Sequence, residues 1–138
     1  MPRRLRAAES TAVLQAERVG IFAFETFVEG LDFLSSGERN RMRLAGGEIF
    51  DNLIRHASPL EDEAMTVRAA KRNGQLYLFF FFKASFFAAY ASRCGDFQPI
   101  YDRGSKRWSG MGLRMCRNLS RSLRMRAGGI VDRIIMTF

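Results

Sequence analysis

Apolar positions in the first part of the chain recur with the period of an α-helix and predict two successive helices. The first spans about residues 11 to 34. Ser35, followed three residues later by Glu38, has the pattern of a capping box, which marks the start of the second helix. That helix should end near Ala57, because Pro59 disfavours helical geometry in the residue before it.

Strand-like patterns and turn signals dominate the rest of the chain. Asn73–Gly74 lies between two apolar runs and predicts a two-residue β-hairpin turn. Residues 83 to 109 form an irregular loop in this interpretation, and loops of that length are often functional. A helix over residues 110 to 123 follows, with a short strand on each side of Gly128–Gly129. The order favours an α/β (α+β) two-layer sandwich, with helices on one face of a mixed, mostly antiparallel sheet.

The run from Phe79 to Phe82 makes one predicted strand apolar on both faces, because side chains alternate along a strand. Both faces then need cover. The helices would supply one side. The other would be covered by a second chain or by the long loop folding back with Phe86 and Phe87, and the sequence favours neither.

Composition fits a single packed domain. The chain has 138 residues, of which 47% are hydrophobic, too many for a disordered chain. We expect a basic N-terminal tail over residues 1 to 10 and one domain over residues 11 to 138. The net charge of +8 suits a polyanion, a nucleotide or an acidic protein partner.

The cysteines and the apolar segments predict a cytoplasmic protein. Cys94 and Cys116 are isolated, as in reduced intracellular proteins, and with one histidine they argue against a zinc site. No apolar stretch follows the basic start, so no signal peptide is expected. The apolar segment 76–91 is shorter than the roughly 20 residues that span a bilayer and contains Lys83, so no membrane partner is expected.

Glu48, Asn52 and His56 lie four residues apart, about one helical turn, in the second predicted helix. A carboxylate can act as a general base, and an Asn side-chain oxygen can complete a magnesium shell. The stripe could line the rim of a cavity. Spacing alone fits a solvated helix edge better.

The start of the predicted helix at residue 110 is a candidate anion site. Glycines let a backbone approach an anion closely, and the amides at a helix N-terminus favour phosphate. A plain helix start explains a lone Gly-x-Gly equally well. The residues of this candidate site are Lys106, Arg107, Gly110, Met111, Gly112 and Leu113.

Arginines recur through the same predicted helix and beyond it. They could contact phosphate or an acidic partner, although a solvated helix face is the favoured interpretation, with leucines and a cysteine pointing inward. We find no nucleic-acid-binding motif, so a nucleic-acid partner is not favoured. The arginines are Arg114, Arg117, Arg121, Arg124 and Arg126.

Taken in order, these segments resemble the histidine-kinase-like (GHKL) ATPase fold, also called the Bergerat fold, over about residues 11 to 138. The chain is most similar to the anti-sigma factor serine/threonine kinases. Their Glu-x-x-x-Asn-x-x-x-His-Ala helix matches Glu48 to Ala57, and their Gly-x-Gly-Leu helix matches Gly110 to Leu113. Asn73–Gly74 falls where that family has its hairpin turn.

The resemblance implies a nucleotide site that holds ATP and Mg²⁺. Glu48 would be the general base, Asn52 would hold magnesium, and His56 would lie near the phosphates or the lid. The amides after Gly110 would bind the triphosphate. Implied partners are a sigma factor or an anti-sigma antagonist, and members of this branch often form homodimers.

The middle motif of the family, Asp-x-Gly-x-Gly, is missing, and the chain reads FFKASFF there. Phe82 or Lys83 takes the aspartate position, and Ala84 and Phe86 take the glycine positions. Losing the hydrogen-bond partner of adenine would cost about 1 to 3 kcal/mol of affinity. Either nucleotide binds weakly through the phosphate half of the site, or the fold persists as a nucleotide-free binding platform.

The preferred interpretation is an anti-sigma-type regulatory module that works by binding a protein. As an enzyme, it would transfer the γ-phosphoryl group of ATP to a serine or threonine hydroxyl of that partner. A nucleotide-free module of the same fold is the first alternative, and a basic nucleic-acid-binding domain is the second.

Overall fold

The computed structural model describes residues 8–17, 19–57, 64–84, 100–104, 107–109, 111–128 and 131–138. Its helices are α1 (Gly20–Glu29), α2 (Ser36–Asn52) and α3 (Met111–Leu119), and one π-helical turn (Leu53–Ala57) continues α2. Its strands are β1 (Ala8–Leu14), β2 (Met65–Arg72), β3 (Gln75–Phe82), β4 (Ile100–Asp102), β5 (Arg107–Ser109), β6 (Ser122–Arg126) and β7 (Asp132–Thr137).

Five strands form one antiparallel sheet in the order β1-β2-β3-β7-β6. The helices pack on one face of it, which confirms the predicted two-layer α+β sandwich. Strands β4 and β5 pair in a separate two-stranded antiparallel sheet. The sequence predicted irregular structure for that part of the chain.

The hydrophobic core lies between the helices and one face of the sheet. Burial alternates along β3, where Phe80 and Phe82 face the core and Phe79 and Phe81 face the other side, as predicted. The Phe24 ring of α1 lies 5.8 Å from the Phe80 ring. The buried residues of β3 are Leu76, Leu78, Phe80 and Phe82, and those of α2 are Met42, Ala45, Gly46, Ile49 and Phe50.

Two local sequence signals are confirmed by the backbone. Asn73 and Gly74 have φ angles of 52° and 78°, the left-handed geometry of the tight turn that joins β2 to β3. At the start of α2, the Ser35 hydroxyl accepts from the Glu38 amide at 3.2 Å, and the Ser35 amide donates to the Glu38 carboxylate at 2.8 Å. Both predicted elements therefore form where their signals lie.

The predicted first helix is wrong over its first residues. Strand β1 occupies Ala8–Leu14, so three residues of the predicted tail also lie in the sheet. Helix α1 begins only at Gly20, where an added Cβ would clash with the Gln15 carbonyl and lie 2.7 Å from the Phe50 ring. The chain turns sharply here, and a glycine permits the close approach.

The last predicted helix is shorter than the sequence indicated. Helix α3 ends at Leu119, and Leu123 is a half-buried residue of β6 that packs against the core. Arg124 and Arg126 are therefore exposed strand residues. Leu119 itself packs against the core, and Arg114 is exposed, as predicted.

In the part of the chain that the structure describes, no helix is both long and apolar enough to cross a bilayer. The proposed cover of the sheet by Phe86 and Phe87 lies outside the described residues. The organisation of the chain as one domain with a basic tail stays a prediction, and so does the cytoplasmic location.

Candidate functional site

The α2 helix places two of the three predicted stripe residues together. Glu48 and Asn52 are both half-buried, and the Asn52 amide nitrogen donates to the Glu48 carbonyl oxygen at 2.8 Å. That bond holds the Asn52 side chain against its own helix. His56 lies in the π-helical turn that continues α2. The side chain of His56 lies outside the description.

Helix α3 packs directly against α2 beside this stripe. The Cys116 thiol is fully buried and donates to the Ala45 carbonyl at 3.2 Å. Burial, and then the negative charge of Glu48, raise the pKa of Cys116 to about 12. The fold thus brings the Glu48 carboxylate close to the middle of α3.

The candidate anion site is only partly described. Helix α3 begins at Met111, which confirms a helix start next to the predicted glycines, and Arg107 lies in β5. The structure describes only the backbone of Arg107, Met111 and Leu113. It does not describe Lys106 and Gly110. A role for these residues in anion binding stays a prediction.

At the position of the missing middle motif, an apolar side chain faces the core. Phe82 is only 4% exposed and belongs to the core cluster. Lys83 and Ala84 follow it and are half-buried. Neither Phe82 nor Lys83, the two candidates for the aspartate position of the family that the chain resembles, carries the hydrogen-bond acceptor that adenine would need.

An aspartate that the sequence analysis missed lies at this end of the sheet. Asp132 is 6% exposed and accepts two backbone hydrogen bonds, from the Ala84 amide at 3.2 Å and from the Gly128 amide at 3.0 Å. It ties the end of β3 to the segment before β7. The one available signal was a lone carboxylate at the start of an apolar strand.

A second candidate surface is the sheet face that points away from the helices. We call it the aromatic face, and its central side chains are Tyr77, Phe79, Phe81 and Ile135. The three aromatic rings stack along β3 at centroid distances of 6.0 Å. The Arg68 guanidinium lies over two of them, 5.9 Å from the Phe79 ring and 5.6 Å from the Phe81 ring. Within the described residues, no helix packs on this face.

An open depression of about 510 Å³ lies near the start of α2 and the end of α1. It is polar, and its arginines are already engaged. Arg43 forms an ion pair with Glu29 at 3.8 Å, and Arg39 donates to the Glu29 carbonyl. The lining residues are Glu29, Ser36, Gly37, Arg39, Asn40 and Arg43, so the depression does not include the α2 stripe.

Among the residues with described side chains, no three histidine, cysteine, aspartate or glutamate residues cluster closely enough to hold a metal ion. The predicted magnesium ligand, Asn52, would therefore depend on phosphate oxygens and water for the rest of its shell.

Comparison with known proteins gives a likeness of fold. No family model matches the chain, and no curated protein matches it in sequence. Among solved structures, it is similar to the RsbU and RsbW domains of Rv1364c from Mycobacterium tuberculosis. The TM-score is 0.65 at 12% sequence identity, and the match covers 94% of this chain and 32% of that one. The chain therefore shares a fold with about a third of a protein that contains RsbU and RsbW domains.

Proposed function

We propose that the chain is an anti-sigma-factor-like regulatory domain that acts by binding a protein partner. The observation that carries the proposal is the likeness of fold across 94% of the chain to a structure with an RsbW domain. The resemblance of the α2 and α3 motifs to anti-sigma factor kinases supports it independently. A sigma factor or an anti-sigma antagonist is the partner class that follows, in the cytoplasm.

Phe82 favours a module that does not depend on nucleotide. By resemblance, Phe82 or Lys83 takes the place of the aspartate that receives adenine in the kinases, and the buried Phe82 ring contributes to the core. A site filled in this way has lost its means of recognising a base. The missing acceptor for adenine therefore disfavours phosphoryl transfer from ATP.

An ATP-dependent serine/threonine kinase is the second candidate function. The observation that favours it is the half-buried pair Glu48 and Asn52, with Glu48 close to the middle of helix α3. Glu48 would take the hydroxyl proton of the partner. Asn52 would offer magnesium its oxygen, since its nitrogen is bonded to the backbone.

Calorimetric titration with ATP and a non-hydrolysable analogue, each with Mg²⁺, separates the two functions. A nucleotide-independent module should show no saturable binding at millimolar nucleotide, which corresponds to a binding free energy weaker than about −4 kcal/mol. Saturable, magnesium-dependent binding that Glu48→Ala or Asn52→Ala alters would favour the kinase instead.

Binding of a regulatory partner is tested directly. The full chain is immobilised, and purified sigma factors and anti-sigma antagonists from the same genome are passed over it without nucleotide. We expect micromolar or tighter binding to at least one of them, with a free energy near −8 kcal/mol. Failure of every such protein to bind would contradict the proposed function.

A further inference from the structure

We propose that the aromatic face is the docking surface for an acidic amphipathic helix of a protein partner. This inference rests on the proposed function and adds that the partner binds through an acidic, amphipathic helix. A half-apolar sheet face normally packs against another element, and the opposite face of this sheet is already covered by helices. A helix with one apolar stripe is the element that would complete a second layer.

The apolar centre of this face is preorganised for docking. Tyr77, Phe79 and Phe81 are stacked with nearly parallel rings, at interplanar angles of 8° and 7°. Ile135 pairs with Phe79 on the neighbouring strand and extends the apolar surface towards β6. All four side chains are only half-buried, so they present a continuous apolar patch that is already ordered.

The edge of the same face towards β6 is strongly basic. Arg124 pairs with Ile135, and Arg126 pairs with Arg133 on β7, so two exposed like charges lie directly opposite each other. Such a pair is destabilising on its own. A carboxylate from a partner would offset that repulsion, and the apolar centre lies one strand away.

Charge over the whole face points to an acidic partner. Among the described residues of the five strands, five arginines and one carboxylate share it, and that carboxylate, Glu9, is already paired with Arg72 at 3.5 Å. The Arg68 Nε atom is buried and lacks a hydrogen-bond partner in the described part of the chain. The five arginines are Arg68, Arg72, Arg124, Arg126 and Arg133.

A second copy of this chain fits the face less well. Two-fold pairing places the same patch on both sides of an interface, which would set one basic surface against an identical basic surface. Like charges brought together in this way oppose association. A partner helix with an apolar stripe flanked by aspartate or glutamate would contact the rings with its stripe and the arginines with its carboxylates.

The test uses two synthetic amphipathic peptides of about 18 residues, or five helical turns. Both carry the same leucine stripe, flanked by glutamate in one and by lysine in the other. Fluorescence anisotropy with the full chain should show saturable binding of the glutamate peptide, at least about tenfold tighter than the lysine peptide. Added salt should weaken that binding. Equal binding of both peptides, or none, would overturn the inference.

Variants locate the binding on this face. The double variant Arg124→Glu with Arg126→Glu should bind the glutamate peptide about tenfold more weakly, or weaker still. Ile135→Thr should reduce the affinity several-fold. Arg41→Glu with Arg114→Glu changes net charge equally at exposed positions on the helices, and it should have little effect. If both double variants reduce binding equally, the attraction is non-specific and the inference fails.

Sedimentation velocity tests the other occupants. A dimer that the Arg124→Glu and Arg126→Glu changes stabilise would assign the face to a second copy and overturn the inference. A monomer that binds the peptide supports it.

The outcomes also separate this inference from the proposed function. If the chain does not bind the glutamate peptide but still binds a sigma factor or an antagonist, the proposed docking surface is wrong and the proposed function stands. If the chain binds neither the peptide nor any such protein, the proposed function is wrong too.

Discussion

Cys116 donates its thiol hydrogen to the Ala45 carbonyl at 3.2 Å, and this contact joins the middle of α3 to the core-facing side of α2. The two residues are 71 positions apart in sequence. The small side chain of Ala45 permits the helices to approach closely. Glu48, three residues further along α2, faces the same thiol closely enough to oppose its ionisation.

Stability should therefore fall at alkaline pH through Cys116. Its pKa rises from the ordinary 9.0 to about 12 in the folded chain, so folded molecules hold the proton more tightly than unfolded ones. The resulting stabilisation is complete below about pH 9 and is lost as pH rises towards about 12. We expect the free energy of unfolding to fall by up to about 1.4 kcal/mol per pH unit from this group.

Urea unfolding of the chain and of Cys116→Ala at a series of alkaline pH values measures this effect. The alanine variant is less stable overall because it leaves a cavity, but its stability should decline less steeply with pH. The two proteins differ only at position 116, so every other contribution to the pH dependence cancels in the comparison. Parallel pH profiles would show that Cys116 is not the group responsible.

Two adjacent glycines of α2 should respond in opposite directions to alanine. A Cβ on Gly46 would clash with the Phe24 ring and lie 2.8 Å from Leu78 Cδ2. Overpacking of this kind costs about 1 to 3 kcal/mol, more than the roughly 1 kcal/mol that alanine gains in a helix. Gly46→Ala should therefore lower the free energy of unfolding, as measured by urea denaturation.

Gly47→Ala is the matched control. Its Cβ would lie 3.6 Å from Ile21 Cδ1, an ordinary contact, so we expect it to stabilise the chain by about 0.5 to 1 kcal/mol. Destabilisation of similar size in both variants would mean that the packing of α2 on β3 does not decide the result.

Asp132 should be a structural residue with a large effect on stability. Its removal leaves the Ala84 and Gly128 amides without their carboxylate acceptor. A hydrogen bond to a charged group contributes about 1.5 to 3 kcal/mol, so Asp132→Ala should lower the free energy of unfolding by about that amount or more. Hydrogen exchange at both amides should become faster.

Asp51→Ala provides the comparison. Asp51 pairs with Arg55 on the surface of α2 at 3.1 Å, where an exposed ion pair contributes about 0 to 1 kcal/mol. Equal effects of the two aspartate variants would show that the Asp132 hydrogen bonds do not hold β3 to the segment before β7.

Local signals in the sequence predicted local structure well. The Asn73–Gly74 turn and the capping box at Ser35 depend on residues within three positions of each other, so both could be predicted without knowledge of the fold. Strand β1 was missed because the spacing of its apolar residues also fits the helical pattern that continues into α1.

Parts of the candidate site depend on contacts between distant residues and could not be predicted. The four-residue spacing identified Glu48 and Asn52, but not the packing of Cys116 beside them. Asp132 bonds to an amide 48 positions away, and no sequence pattern marks such a partner. The pairing of Arg126 with Arg133 depends on the register of β6 and β7.

The strand order has a consequence for synthesis on the ribosome. Strand β3 lies at the centre of the sheet, between β2 and β7. Its hairpin with β2 can form early, but its other edge stays unpaired until β4, β5, α3, β6 and finally β7 have been made. The second edge of this phenylalanine-rich strand is thus open to other nascent chains from the completion of β3 at Phe82 until β7 has been made, and this interval favours aggregation.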